Sequence, residues 1–132
     1  MNTRNAACSC GRLRIIVEET PVRISMCHCL ACQRRTGSVF GAQAWYPKEK
    51  VTVSGPSSEY CRTADSGKRI TYHFCSECGS TVYYQADAFP DRTAVPIGAF
   101  ADPSFPVPMV SIYESSKHAW VTVPKDLEHH DD

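Results

Sequence analysis

The sequence predicts an all-β fold of short antiparallel strands pinned by cysteine knuckles, and three observations carry that expectation. Short β-rich runs recur at close spacing with Gly and Pro between them, which favours a sheet or barrel-like domain over a βαβ arrangement. The cysteines fall in tight groups, as metal sites do. Only one stretch, within or just after "HCLACQRRTG", has the makings of a helical turn.

Taken in order, "RLRIIVEE" (12–19) is β-rich and Pro21 ends it. "VFGAQAWY" (39–46) and "KVTVSG" (50–55) read as strands closed by Pro47 and Gly55. "RITYHF" (69–74) alternates and runs into Cys75, and "STVYYQA" (80–86) leaves Cys78, the strand–knuckle–strand order of a zinc ribbon. "TAVPIGAF" (93–100) and "VSIYES" (110–115) complete the set, separated by an extended loop, "FADPSFPVP" (100–108). Trp45 and Trp120 are expected in the core, His118 at the surface, and Tyr72 and His73 as alternating residues of a half-buried strand. The polar tail, residues 125–132, is expected to fray. With 132 residues and no repeat or linker, residues 1–132 are expected to form a single domain.

Lys plus Arg and Asp plus Glu both number 14, a balance that argues against nucleic acid as a partner. The first residues hold no apolar run that would mark a signal peptide, and no window approaches the roughly 18 apolar residues of a membrane helix. A cytoplasmic location is therefore expected. In that compartment 8 cysteines stay reduced, so metal binding is expected rather than disulfides.

Cys10 is followed by Gly11 and Cys78 by Gly79. A glycine there accepts the positive φ of a tight turn around a metal, so "CSCG" and "CSECG" read as two halves of one four-cysteine zinc site: Cys8, Cys10, Cys75 and Cys78. The middle group, Cys27, Cys29 and Cys32, has three thiols, no such glycine, and Arg34 and Arg35 just beyond. Three cysteines leave one position of a tetrahedral zinc to be filled. A substrate thiol, Cys61, His28 or His73 are the candidates, and the sequence leaves the choice open.

The ordered motifs "CSCG", "CHCLACQRRTG" and "FCSECGS", continued by "DPSFPVPMVSIYESSKHAW", resemble the glutathione-dependent formaldehyde-activating enzyme (GFA, or CENP-V/GFA) family over roughly residues 6 to 124. The resemblance implies an Mss4-like (β-tent) fold with two zinc ions per chain. It implies that Cys8, Cys10, Cys75 and Cys78 hold a structural zinc, and that Cys27, Cys29 and Cys32 form the catalytic one. The implied activity is a carbon–sulfur lyase, S-(hydroxymethyl)glutathione synthase, acting on formaldehyde and a small thiol, glutathione. Two departures stand out: "AACSCG" lacks a glycine common before the first cysteine, and Cys61 lies outside the shared pattern.

If a substrate thiol fills the open position, Arg34, Arg35, Lys68 and Arg69 are candidates to bind its carboxylates. Three thiolates leave the zinc a weak Lewis acid, which disfavours water activation and hydrolase chemistry. The competing expectation is a non-catalytic zinc module that binds a protein partner, with both sites closed by protein ligands. A third is redox sensing by the same three cysteines, with a reversible disulfide and release of one zinc.

Overall fold

The computed structural model describes residues 3–18 and 20–132. Its elements, in chain order, are β1 (Thr3–Ala7), β2 (Arg14–Glu18), β3 (Arg23–Cys27), α1 (Leu30–Thr36), β4 (Gly41–Pro47), β5 (Val51–Ser54), β6 (Ser58–Thr63), β7 (Arg69–Phe74), β8 (Thr81–Ala86), β9 (Arg92–Pro96), β10 (Val110–Ile112) and β11 (Glu128–His129). The chain divides into two compact units, residues 1–22 with 44–105 and residues 23–43 with 106–132, and passes from the second to the first within β4.

In the first unit β2 lies between β1 and β5 in an antiparallel sheet. Alternation decides which side chains it buries: Ile15 and Val17 are fully covered while Ile16, between them, is exposed. Gly55, just past β5, has a φ of +95, and a Cβ there would run into the carbonyl oxygen of Arg12, so only glycine fits. A second sheet runs β9-β8-β7-β6, beside the first-unit end of β4. Trp45, Tyr72, Tyr84 and Ala94 form its buried cluster, with the Trp45 and Tyr84 rings edge to face at 5.6 Å. The β7–β8 pairing shifts register between His73 and Phe74, immediately before Cys75, so a bulge re-aims the chain into the knuckle.

In the second unit the strand order is β11-β10-β3, followed by the start of β4. Here β10 pairs with both β3 and β11 in parallel, unlike the antiparallel strands expected throughout. Parallel pairing needs a long connection, and β3 and β10 are far apart in sequence. The tail also differs from expectation. Instead of fraying, Glu128 and His129 pair with Val110 and Ser111, and Glu114 N–H donates to the His130 carbonyl at 3.0 Å.

The strand expected over 69–74 has those bounds, the one expected over 80–86 begins one residue later at Thr81, and the helical turn begins at Leu30. The run 93–100 turns into a 3-10 helix over Ile97–Phe100, and 110–115 is interrupted at Tyr113, whose φ of 58 is left-handed. Trp120 is not core: it is 72% exposed, whereas Trp45 is buried. No helix among the described residues is long and apolar enough to cross a membrane.

Candidate metal centres

The first centre is built from two turns with one design. In each, the glycine has a φ of +82 and its N–H donates back to the first cysteine's carbonyl: Gly11 to Cys8 at 3.1 Å, Gly79 to Cys75 at 2.7 Å. In each, that cysteine's N–H also closes the turn, Cys8 to the Leu13 carbonyl and Cys75 to that of Ser80, both at 3.0 Å. The two knuckles bring Cys8, Cys10, Cys75 and Cys78 together with all sulfurs within 4.8 Å of one another. Sγ of Cys10 lies 3.6 Å from those of Cys8 and Cys75. A tetrahedron with metal–sulfur bonds of about 2.3 Å has edges near 3.8 Å, so these spacings fit zinc.

Backbone N–H groups prepare the sulfurs for negative charge. Leu13 N–H points at Cys8 Sγ at 3.2 Å. The N–H of Ser80, then that of Cys10, lower the Cys78 thiol to about 5. The N–H of Arg12 lowers Cys10, but partial desolvation and the three neighbouring thiols together outweigh it and push Cys10 up to about 11. A group of thiols split this way is what a cation evens out, since it holds every sulfur as thiolate.

The second centre is asymmetric. Cys27 ends β3 and Cys29, the N-cap of α1, is still extended (φ −62, ψ 152). Side chains two apart on an extended chain point the same way, so Cys27 and Cys29 face together and His28 faces the opposite side. The first helical turn then swings Cys32 back, with its N–H donating to Cys29 Sγ at 3.3 Å. All three sulfurs lie within 4.8 Å of one another, and among the described residues the group ends at three. Cys29 and Cys32, then burial, raise the Cys27 thiol. Cys32 receives a bond from Cys27 that lowers it, but Cys29 and burial outweigh that and the net shift is upward. Three crowded thiols, two of them buried, resist losing their protons unless a cation joins them, so the donor set fits a thiophilic metal such as zinc.

None of the proposed protein fourth ligands joins the group. His28 is fully buried, its Nε2 2.9 Å from Ser111 Oγ and its ring 5.8 Å from that of Phe40. Cys61 is exposed on β6, opposite Thr71. His73 is buried on β7, stacked on Tyr83 at 4.2 Å and 3.2 Å from Gln85 Oε1. None of the eight cysteines is joined in a disulfide.

The four cationic candidates separate. Arg34 is exposed, in the last turn of α1. Arg35 is half-buried, and its charge acts on Cys32. A Cβ on Gly41 would come within 3.2 Å of the Arg35 guanidinium and 3.4 Å of Cys32 Cβ, so the missing side chain at 41 leaves that corner open. Lys68 and Arg69 are exposed at the β6–β7 turn, in the other unit.

Sequence reading did not find three features of the second unit. Tyr113 adopts a left-handed φ directly after Ile112, which pairs with Cys27. Trp120 is exposed with its indole edge-on to His118 at 6.3 Å. Gln33 bonds on three sides, to His28, Ser116 and His118. None of these has a sequence signature, because each depends on how 113–120 packs beside α1.

The model of a family described as glutathione-dependent formaldehyde-activating enzyme matches residues 3–116. An uncharacterized lyase of Schizosaccharomyces pombe is 31% identical over 80 residues, 61% of this chain and 54% of that protein. A provisionally named glutathione-dependent formaldehyde-activating enzyme of Fusarium vanettenii is 28% identical over 82 residues, 55% of this chain and 44% of that one. The chain thus spans about half the length of these curated relatives. A crystal structure of a Rhodobacter sphaeroides protein shares the fold with a TM-score of 0.60 at 20% identity, over 77% of this chain and 90% of that one.

Proposed function

The chain belongs to the glutathione-dependent formaldehyde-activating enzyme family, and from that premise we propose that it is a zinc-dependent carbon–sulfur lyase of the S-(hydroxymethyl)glutathione synthase type. Its substrates would be formaldehyde and a small thiol, glutathione or a close analogue, in the reducing cytoplasm. One observation carries the reading: Cys27, Cys29 and Cys32 converge as a group of three, while Cys8, Cys10, Cys75 and Cys78 converge as four.

Zinc held by the three would supply a fourth coordination position at which a substrate thiol loses its proton easily. The chain's own contribution is to shape and charge that position. Arg35 places a cation beside Cys32, suited to a carboxylate of the incoming thiol. The reaction adds the thiol across the formaldehyde carbonyl. A carbon–sulfur bond forms, the π pair moves to oxygen, and the thiol proton ends there, with nothing oxidised or reduced.

The reading in which both centres are closed by protein ligands has less support, since among the described residues His28, Cys61 and His73 do not join the three-cysteine group. Thiols also add to formaldehyde unaided, so the test must measure acceleration. Exchange NMR with labelled formaldehyde and glutathione gives the rate of adduct formation and breakdown. A rate above background is expected with the zinc-loaded chain, and background with Cys29→Ser. Equal rates with and without the protein would remove the enzyme reading.

A further inference from the structure

The residue between the first two cysteines of the trio is held through its backbone and through one ring nitrogen, Nε2, while its buried Nδ1 has no hydrogen-bond partner. His28 N–H donates to the Ile112 carbonyl at 3.0 Å, and its ring is fixed by Ser111. Its own carbonyl accepts from the side-chain amide of Gln33 at 2.9 Å. Gln33 Nε2 also donates to the Ser116 carbonyl at 3.1 Å, and Gln33 Oε1 lies 3.0 Å from His118 Nε2. The backbone of Gln33 is equally engaged. Its N–H closes the first turn of α1 onto the Cys29 carbonyl at 3.0 Å, and its carbonyl accepts from the capping Gly37 N–H at 2.9 Å.

We propose that Gln33 is the positioning residue of the three-cysteine centre: its amide ties the Cys27–Cys29 peptide to the 116–118 segment and so holds the three sulfurs in register for a metal. Hydrogen-bond satisfaction and leverage both point this way. The His28 and Ser116 carbonyls share one donor group, and a side chain without that donor leaves both short of a partner in a part-buried place. The peptide that loses its anchor is the one joining Cys27 to Cys29, so a small rotation there separates their sulfurs. Groups that orient metal ligands in this way change metal affinity by about 10- to 100-fold when removed. Glutamine also suits the task better than its neighbours in chemistry. Glutamate has no donor for the two carbonyls, and methionine has neither donor nor acceptor.

This inference rests on the metal reading above, and the test separates the two. The full chain is loaded with cobalt(II), and its release to a chelator is followed through the thiolate absorption bands. Cys29→Ser, lacking one thiolate of the trio, identifies the phase that belongs to it. The expected result is two cobalt ions in the wild-type chain and release from the trio at least 10-fold faster in both Gln33→Met and Gln33→Glu, with the four-cysteine phase unmoved. Gln33→Glu keeps the size and the acceptor for His118, so it carries the test if Gln33→Met fails to fold. Wild-type release rates in both variants overturn the assignment to Gln33. So does loss of both phases together with a fall in melting temperature, which marks a merely structural role. A wild-type chain that loads only the four-cysteine centre overturns the metal reading and this inference with it.

Discussion

The two cysteine centres use the same element in opposite ways. At Cys8, Cys10, Cys75 and Cys78, two matched glycine turns approach from distant points of the chain and close a complete set of four. At Cys27, Cys29 and Cys32, one continuous strand-to-helix step gathers three, and the backbone between them is secured by the Gln33 amide and the Ile112 carbonyl rather than by a glycine turn. A complete set made from distant segments works as a fastener, because metal binding closes the long loop between them. An incomplete set on one short segment adds little to folding and leaves a position to spare. On the proposed function, that difference gives stability to the first centre and chemistry to the second.

The largest effects should therefore fall on the first centre. Cys75→Ser, at a buried knuckle position, should abolish cooperative melting, since structural zinc contributes enough to exceed an ordinary domain stability of about 5–15 kcal/mol. Cys29→Ser should shift stability by only about 1 kcal/mol while cutting metal content from two ions to one. Calorimetry with elemental analysis distinguishes these outcomes, and equal losses in the two variants would erase the contrast.

Smaller effects sharpen it. Gly79 and Gly37 both have positive φ, 82° and 73°, and a Cβ at either would meet nothing within 4 Å. Alanine at either should cost about 1–2 kcal/mol from backbone conformation alone. Gly79→Ala should also hasten metal loss from the four-cysteine centre, whereas Gly37→Ala should only loosen the end of α1. Chelator kinetics on the two variants separate them.

The smallest expected effect concerns the tail. Glu114 is held below its ordinary value of 4.5, first by a hydrogen bond from Ser111 and also by His129. His129, 2.7 Å from Glu114, is raised above its ordinary 6.5, chiefly by that carboxylate. The carboxylate's contribution is complete above its unfolded value and fades as pH falls through the lowered one. The histidine's is complete below its unfolded value and fades as pH rises through the raised one. The pair is thus strongest between about pH 4.5 and 6.5, where hydrogen exchange at Ser115 and His130 should be most protected relative to the intrinsic rate.

How much of this could be read from sequence follows from locality. The Cys-Gly turns, β7, β8 and the start of α1 depend on neighbours a few residues away, and their signals lie on the page as residue types. The parallel pairing of β3, β10 and β11 does not: Val110 meets Ser25 and Glu128 only because of the whole topology. Trp120 misled for the same reason, as a large apolar residue is expected inside unless its segment packs with that face outward. The arginine pair was legible as charge but not as direction. The turn of α1 sends Arg35 toward Cys32 and Arg34 to solvent. Gln33 had no signal at all, since an amide after a cysteine becomes informative only when its carbonyl partners are known.

On the proposed function, the three-cysteine centre keeps a position for a thiol from solution. Titrating the cobalt-loaded full chain with glutathione probes that position. The expected result is stronger sulfur-to-cobalt charge-transfer absorption, saturating at one glutathione per chain and absent in Cys29→Ser. A spectrum unchanged by glutathione, with two cobalt ions bound, would mean that the position is already filled by the protein.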